Sequence, residues 1–204
     1  VSVKRAQEKG LCMISGTIRR VQKDFMETWR RVANGEIGDI VSAHITRNGG
    51  MVWVIQRRPE WSDMEYMLRN WVNFCWLSGD HIVEQHVHNI DVMNWFTGTH
   101  PVKAVGFGSR LRRVTGDQYD NFSIDYTFEN GIHAHSMCRQ IDSCANGTGE
   151  LVVGTEGYTN CQNTIWDLKG NIKWQFQYPK DENGNQMQTT VIPSYVQEHM
   201  HLVY

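Results

Sequence analysis

The chain has 204 residues, of which 40% are hydrophobic, and this is long enough to bury one sizeable core in one main domain. Its formal net charge is −2, without long runs of either sign, which argues against nucleic acid or an acidic membrane as a partner and favours a small neutral or weakly charged substrate. Five cysteines without CxxC spacing argue against a disulfide framework and a zinc ribbon, so we expect free thiols. No stretch has the length of a membrane span or the pattern of a secretion signal.

The first residues follow the pattern of a helix and strand from the end of an α/β unit. Val3 to Gly10 is predicted as a helix end closed by glycine, and Leu11 to Ser15 as a short strand. Two such elements cannot form a sheet alone, so we expect their partner strands to precede residue 1. The chain begins without Met and ends within an apparent helix, and we expect both ends to be cut.

The next elements are a helix, a strand and a long irregular segment. Apolar residues at helical spacing predict a helix over Val21 to Ala33, and β-rich composition predicts a strand over Ile40 to Thr46. The segment from Met51 to Trp71 is rich in tryptophan and arginine. Such groups, including Trp53, suit a wall for a sugar-like ligand, because aromatic faces stack on sugar rings and guanidinium groups bond to hydroxyls. Coverage of a core by a long loop explains each of them equally well.

The stretch from Gly79 to Gly98 carries the densest chemistry and is predicted as one helix. At 100° per residue, one narrow side of that helix presents polar and aromatic groups, and another side is apolar and should pack. The polar side consists of Glu84, His88, Asp91 and Trp95, and the apolar side of Val83, Val87, Ile90 and Met93.

His88 lies one turn from Glu84 and one turn from Asp91, which suits a proton-transfer group whose tautomer and basicity the carboxylates set. An ordinary surface or interior histidine explains the same pattern. A metal site on His86 and His88 is a third interpretation, but residues two apart on a helix point about 200° away from each other. We therefore expect His86 at the packing edge and no metal.

The second half of the chain predicts a mostly antiparallel sheet. Its predicted strands are rich in β-branched and aromatic residues and are separated by glycine-containing turns. With the preceding helices they predict an α+β fold, an open sheet with helices packed on one face. A terminal helix follows, with Ser194 as candidate N-cap. The predicted strands are Pro101 to Arg113, Phe122 to Phe128, Ile132 to Arg139, Glu150 to Gly154, Ile165 to Trp166 and Asn171 to Phe176.

The strand from Ile132 to Arg139 alternates between an apolar face and a mixed face that carries two histidines. The mixed face is too polar for a core and too apolar for plain solvent exposure, so we interpret it as an interface with another subunit or domain. A metal bound by His133 and His135 is less favoured, because no third ligand is close in sequence.

The ordered series of motifs resembles the Gfo/Idh/MocA oxidoreductases over essentially the whole chain. That family's second domain carries Gly-Gly, then Asp, then Gly, then His-x-x-Asp on a helix. The resemblance continues in the segments SGTIRR, NGEIGDI, GFGSR and VVGTEG. This chain differs at three positions, and the change from Asp to Glu keeps the carboxylate but lengthens its reach. The corresponding residues here are Gly79-Asp80, Glu84, His86 and His88-Asn89-Ile90-Asp91.

The resemblance implies hydride transfer between a sugar, inositol or related polyol and NAD or NADP. It implies a boundary near residue 18: residues 1–18 would be a remnant of the nucleotide-binding domain, and residues 19–204 the substrate-binding and oligomerisation domain. The cofactor would be bound mainly by the missing N-terminal domain, so the chain alone should be inactive. His88 would be the acid/base group, Glu84 would orient it or bind a hydroxyl, and Asp91 would brace the site. For substrate binding we predict Asp91, Arg20, Trp53 and Arg139.

Three other functions stay open. A relative of the same family could be an NAD-dependent glycosidase, which returns the hydride after the glycosidic bond has been eliminated. The domain could also be a non-catalytic scaffold that pairs with a copy of itself through its sheet. A metal hydrolase built on His86 and His88 would contain zinc. The compartment is open, with the cytoplasm favoured slightly over the periplasm, and we expect a homo-oligomer.

Overall fold

The computed structural model of the chain describes residues 2–13, 15–187 and 193–203. Its helical elements lie mostly in the first half and its strands mostly in the second. The helices are α1 (Ser2–Glu8), α2 (Lys23–Ala33), α3 (Asp63–Arg69), α4 (Cys75–Ser78), α5 (Asp80–Glu84), α6 (Val87–Thr97) and α7 (Ser194–Val203), with 3-10 helices at Ile18–Val21 and Trp71–Asn73. The strands are β1 (Ile40–Gly49), β2 (Lys103–Ser109), β3 (Asn121–Thr127), β4 (His133–Gln140), β5 (Gly147–Gly154), β6 (Gly157–Thr159), β7 (Thr164–Asp167) and β8 (Ile172–Gln175).

The strands form one open, eight-stranded sheet in the order β2-β3-β4-β1-β5-β6-β7-β8. β1 and β4 pair in parallel, and every other neighbouring pair is antiparallel. The parallel pair arises because β1 inserts between β4 and β5, which are consecutive in the chain. The predicted α+β fold with a mostly antiparallel sheet is confirmed.

The helices α2 and α6 pack on one face of this sheet and bury the core with it. Residues of β1, β4 and β5 that point toward the helices alternate with exposed ones, as the period of two in a strand requires. The predicted alternation in β4 is therefore confirmed. The core comprises Phe25, Val32, Ile37, Ala43, Ile45, Val92, Met93, Phe96, Phe128, Ile132, Ala134, Val152, Cys161 and Ile165.

The N-terminal segment forms its helix but not its strand. α1 covers most of the predicted helix, and none of its residues is buried. The strand predicted over Leu11 to Ser15 is wrong for the residues of that run that the structure describes, 11–13 and 15, which have no regular secondary structure and are exposed. A strand needs a neighbour for its backbone groups, and the eight strands described all belong to the sheet farther along the chain.

The single helix predicted from Gly79 to Gly98 is broken in two. α5 ends at Glu84, a turn follows at residues 85 and 86, and α6 begins at Val87. The break changes the direction of the inward side, so two residues of the predicted packing side, Val83 and Val87, are exposed instead. His86 and Asn89 are buried together with Val92, Met93 and Phe96.

Three smaller differences concern short elements. The predicted loop from Met51 to Trp71 contains α3, whose N-cap Ser62 accepts a hydrogen bond at Oγ from the backbone N–H of Glu65 at 3.2 Å. β6 was not predicted, because three residues are too few to show a pattern. Ser194 is the first residue of α7 and not its N-cap.

Within the described ranges, no helix has the length and apolar character needed to cross a membrane.

Candidate functional site

The break between α5 and α6 places the candidate residues on the outer side of the helical layer. Glu84 is the last residue of α5, and His88 and Asp91 lie on the first two turns of α6. All three are partly exposed. Glu84, His88 and Asp91 were predicted on one side of a single helix. In the structure Glu84 belongs to α5, and His88 and Asp91 belong to α6.

Asp80 has a strained backbone conformation at a position where the pattern described above has glycine. Gly79 and Asp80 both have left-handed backbone conformations, with φ of 75° and 73°, and a residue with a side chain adopts this region only at a cost. The Asp80 carboxylate accepts hydrogen bonds from the backbone N–H of His81 at 2.6 Å and of Tyr119 at 3.0 Å. These bonds offset the strain, since aspartate tolerates this conformation when its side chain bonds locally.

The His88 ring is half-buried, and its electrostatic surroundings favour the neutral form. Its Nδ1 is buried and has no hydrogen-bond partner in the part of the chain that the structure describes. Burial lowers the pKa of His88 below its ordinary value, and the positive charges of Arg19 and Arg47 lower it further. Glu84 and Asp91 oppose this shift but do not reverse it. The two carboxylates do raise the pKa of the imidazole, as expected, but burial and the two arginines outweigh them and the net shift is downward.

Both carboxylates have other hydrogen-bond donors. Asp91 binds Arg20 in a bidentate ion pair, with distances of 2.8 Å from Nε to Oδ2 and 2.9 Å from Nη2 to Oδ1. Glu84 accepts a hydrogen bond from the side-chain amide of Gln85. The structure thus brings two predicted substrate-binding residues, Arg20 and Asp91, into contact with each other. The charges of Glu84 and Asp91 act on His88 through space and not through a hydrogen bond to its ring.

Sequence reasoning missed a buried polar group beneath α6. Glu150 on β5 accepts hydrogen bonds from Arg19 and, at 2.6 Å, from Nδ2 of Asn89. Burial raises the pKa of Glu150, and Arg19 and Asn89 oppose that rise. The available signal was alternation: Glu150 shares the helix-facing side of β5 with buried Val152, and a carboxylate at such a position requires partners.

A polar cleft opens next to this group. Its volume is about 320 Å³, and amide, hydroxyl, guanidinium and carboxylate groups with one phenyl ring make up its walls. Such a lining offers both donors and acceptors to a hydroxylated ligand. The lining residues are Arg19, Gln22, Phe25, Thr148, Gly149, Glu150, Asn160 and Gln162.

The other two predicted substrate-binding residues, Trp53 and Arg139, have partners of their own. The Trp53 side chain is 48% exposed and packs edge-on against Trp71, with ring centroids 6.3 Å apart. Arg139 follows the alternation of β4 onto the face opposite the helices, where its guanidinium donates to the carbonyl of Ala145. Arg139 and His88 are therefore on opposite faces of the sheet, and the structure does not bring them together.

His86 is fully buried, and its surroundings are those of a core residue. Its Nε2 lies 2.7 Å from the Ser136 hydroxyl of β4, and burial lowers its pKa to about 3. Burial likewise lowers the pKa of His81 to about 4. Among residues 2–13, 15–187 and 193–203, no three His, Cys, Asp or Glu side chains are grouped so that they could hold a metal ion.

Solved structures share this fold at low sequence identity. The aldose-aldose oxidoreductase from Caulobacter crescentus, complexed with glycerol, superposes with a TM-score of 0.67 at 14% identity, over 98% of this chain and 62% of that one. The WlbA dehydrogenase from Bordetella pertussis, in complex with NADH and UDP-GlcNAcA, superposes with a TM-score of 0.63 at 16% identity, over 87% of this chain and 51% of that one. The super-repressor mutant of Gal80p from Saccharomyces cerevisiae superposes with a TM-score of 0.69 at 16% identity, over 98% of this chain and 52% of that one. The chain thus spans about half to three-fifths of the length of these structures.

The fold is therefore that of one large part of these longer proteins, an α+β domain with an open sheet. Residues 25–159 match the GFO/IDH/MocA C-terminal domain. The chain belongs to the GFO/IDH/MocA family. No curated protein is significantly similar to it in sequence.

Proposed function

We propose that the full-length protein is an NAD- or NADP-dependent oxidoreductase of a sugar, inositol or related polyol, and that this chain supplies its substrate-binding half. Family membership and the nicotinamide dinucleotide and sugar nucleotide in the WlbA structure support this class. The observation that carries the role of His88 is its environment. The ring is half-buried among charged groups of both signs and its pKa is lowered, which favours the neutral form that can accept a proton.

A neutral imidazole can accept the proton that leaves a secondary alcohol when the alcohol is oxidised. His88 would take the hydroxyl proton as the carbon gives up its hydride, and it would return the proton in the reverse reaction. The nicotinamide, when bound, supplies the hydride acceptor. Glu84 would accept a hydrogen bond from a neighbouring hydroxyl, and the polar cleft beside Arg19 would hold more of the substrate. Arg20 and Asp91 would then act together, as an ion pair beside the site.

The cofactor is assigned mainly to residues outside this chain. A dinucleotide site requires a parallel strand, a glycine-rich turn and a helix in succession. In the described part of the chain, the one parallel pair of strands, β1 and β4, lies within the sheet and is joined by helices and two further strands. We propose that residues 1–18 belong to the nucleotide-binding domain and residues 19–204 to the second domain. The 204-residue chain alone should then show no turnover.

The test of this function is His88→Gln in the full-length protein, with reduction of NAD and NADP followed for a panel of sugars and inositols. Loss of the proton acceptor should lower kcat about 100-fold or more. His100→Gln is the matched control, because His100 is an exposed histidine just beyond α6. A variant at His88 with undiminished kcat would contradict the proposal. Release of an aglycone from a glycoside without net NADH would instead favour the glycosidase.

We further propose that a second copy of the chain covers the open face of the sheet. Large apolar side chains lie there, with Phe107 78% and Met137 40% exposed, and His44 stacks on His135 with ring centroids 5.4 Å apart. Patches of this kind mark interfaces. In sedimentation experiments on the full-length protein, Phe107→Glu should reduce the assembled fraction, whereas Glu129→Gln in an exposed turn should not. Equal sedimentation of both variants and the wild type would contradict the interface.

A further inference from the structure

Glu150 connects three parts of the chain that meet below His88. Its side chain is 4% exposed and projects from β5. Its Oε1 accepts from Arg19 in the 3-10 helix Ile18–Val21 and from Asn89 in α6. Nδ2 of Asn89 also donates to the carbonyl oxygen of Thr46 in β1, at 3.0 Å. One buried carboxylate therefore fastens the start of α6 to the sheet and to the segment before α2.

The two neighbouring arginines of that 3-10 helix hold α6 at two residues close to His88. Arg19 reaches Asn89 through Glu150, and Arg20 binds Asp91 directly. Residues 89 and 91 are thus anchored to the same short segment. His88 precedes both in the chain and projects between them around the helix axis, so its position depends on both anchors. The inner anchor is buried, whereas in the outer one the Arg20 side chain is 42% exposed.

We propose that Glu150 is a positioning residue for His88, which it holds in place through Asn89 and Arg19. Through these contacts Glu150 determines where the His88 ring is held and which charges face it. The catalytic consequence of this positioning rests on the function proposed above. Glu150 also borders the polar cleft, but its side chain is only 4% exposed and its Oε1 is occupied by Arg19 and Asn89, so we assign its effect to these two residues and not to a bond with the substrate.

A change in the charges around His88 should appear as a change in the pKa of its ring. Arg19 and Arg47 lower the pKa of His88, and Glu84 and Asp91 raise it. Glu150 neutralises Arg19 at contact distance. If Glu150 loses its charge, the field of Arg19 at His88 is no longer compensated, and the pKa of His88 should fall further. If Arg19 loses its charge, the pKa of His88 should rise.

The experiment is an NMR titration of the histidine rings in the full-length protein, with the His88 resonance assigned by its loss in His88→Gln. Glu150→Gln retains the shape of the side chain and its acceptor oxygen, and should lower the pKa of His88. Arg19→Gln should raise it. The control is Glu156→Gln, which removes the same charge from an exposed position just after β5 and should leave the pKa unchanged. Titration of His88 in Glu150→Gln as in the wild type, or an equal shift in Glu156→Gln, would overturn the inference.

A kinetic measurement separates positioning from a merely structural role. In Glu150→Gln, kcat should fall roughly tenfold while KM changes by less than about twofold, because a displaced acid/base group affects the chemical step more than substrate binding. Circular dichroism of Glu150→Gln, which should match that of the wild type, checks that the variant is folded. Unchanged kcat in Glu150→Gln, together with a large loss in His88→Gln, would overturn the positioning role. Full activity in His88→Gln would refute the proposed function instead, and the NMR titration would still decide the inference on Glu150.

Discussion

The two sides of α6 differ both in their residues and in their surroundings. The side that faces the sheet presents Asn89, Val92, Met93 and Phe96, all buried, whereas the outer side presents His88 and Asp91, both partly exposed. On the inner side, Nδ2 of Asn89 donates to the sheet and to Glu150. Nδ1 of His88 and Oδ1 of Asn89 are both buried and have no hydrogen-bond partner within the described ranges. One side of α6 therefore fastens the helix to the sheet, while the other side keeps His88 and Asp91 partly exposed.

The histidines of this region show the same contrast. His86 contacts Ser136 in the core, and its pKa is lowered to about 3, so it stays neutral throughout the ordinary pH range. His88 is two residues later, and opposing charges from arginines and carboxylates act on it. Sequence position alone does not separate a packing histidine from a reactive one. The depth of burial and the charges nearby do.

Removal of a large inner side chain should have the greatest effect on stability. Phe96 is 5% exposed, and Phe96→Ala should lower the free energy of unfolding by about 3–5 kcal/mol, because it leaves a cavity in the core. His88→Ala on the outer side should cost about 1 kcal/mol or less. Urea unfolding of the two variants measures the difference. Similar costs would mean that the two sides do not differ in packing.

Acid should destabilise the inner side through its histidines. In the unfolded chain His81 and His86 take up protons near pH ~6.5, whereas in the folded chain their pKa values are lowered to about 4 and about 3. The stability they contribute is complete above about pH 6.5 and is lost as the pH falls toward these folded values, by up to ~1.4 kcal/mol per pH unit for each histidine.

Urea unfolding at about pH 7.5 and about pH 5.5 tests this effect. The decrease in unfolding free energy should be smaller in His86→Gln than in the wild type, and unchanged in His100→Gln, because His100 is exposed. An equal decrease in all three proteins would show that burial of His86 does not cause the acid sensitivity.

The smallest expected effect concerns the outer ion pair. Asp91→Asn should reduce the unfolding free energy by less than about 1 kcal/mol, because the Arg20 side chain is 42% exposed and water screens the pair. It should also lower the pKa of His88, since the charge of Asp91 raises it. An NMR titration of His88 measures this shift. A rise in the pKa would contradict the assigned surroundings of the ring.

Much of the fold could be predicted because its signals are local. Helical spacing of apolar residues marked α2, and alternation in β4 separated a buried face from an exposed one. The break before Val87 was missed because the pattern of the surrounding residues also fits one continuous helix. The strand predicted at Leu11 to Ser15 does not form at residues 11–13 and 15. An apolar run shows strand propensity, but only a neighbouring strand completes its hydrogen bonds.

The order of motifs in the sequence determined the family and the positions of Glu84, His88 and Asp91, because these depend on spacing along the chain. Only the tertiary structure decided their surroundings. It paired Asp91 with Arg20, placed Arg139 on the other face of the sheet, and joined Arg19, Asn89 and Glu150, which are separated by up to 131 residues. Burial and the field of distant charges depend on what lies nearby in space, and spacing along a chain does not contain that information.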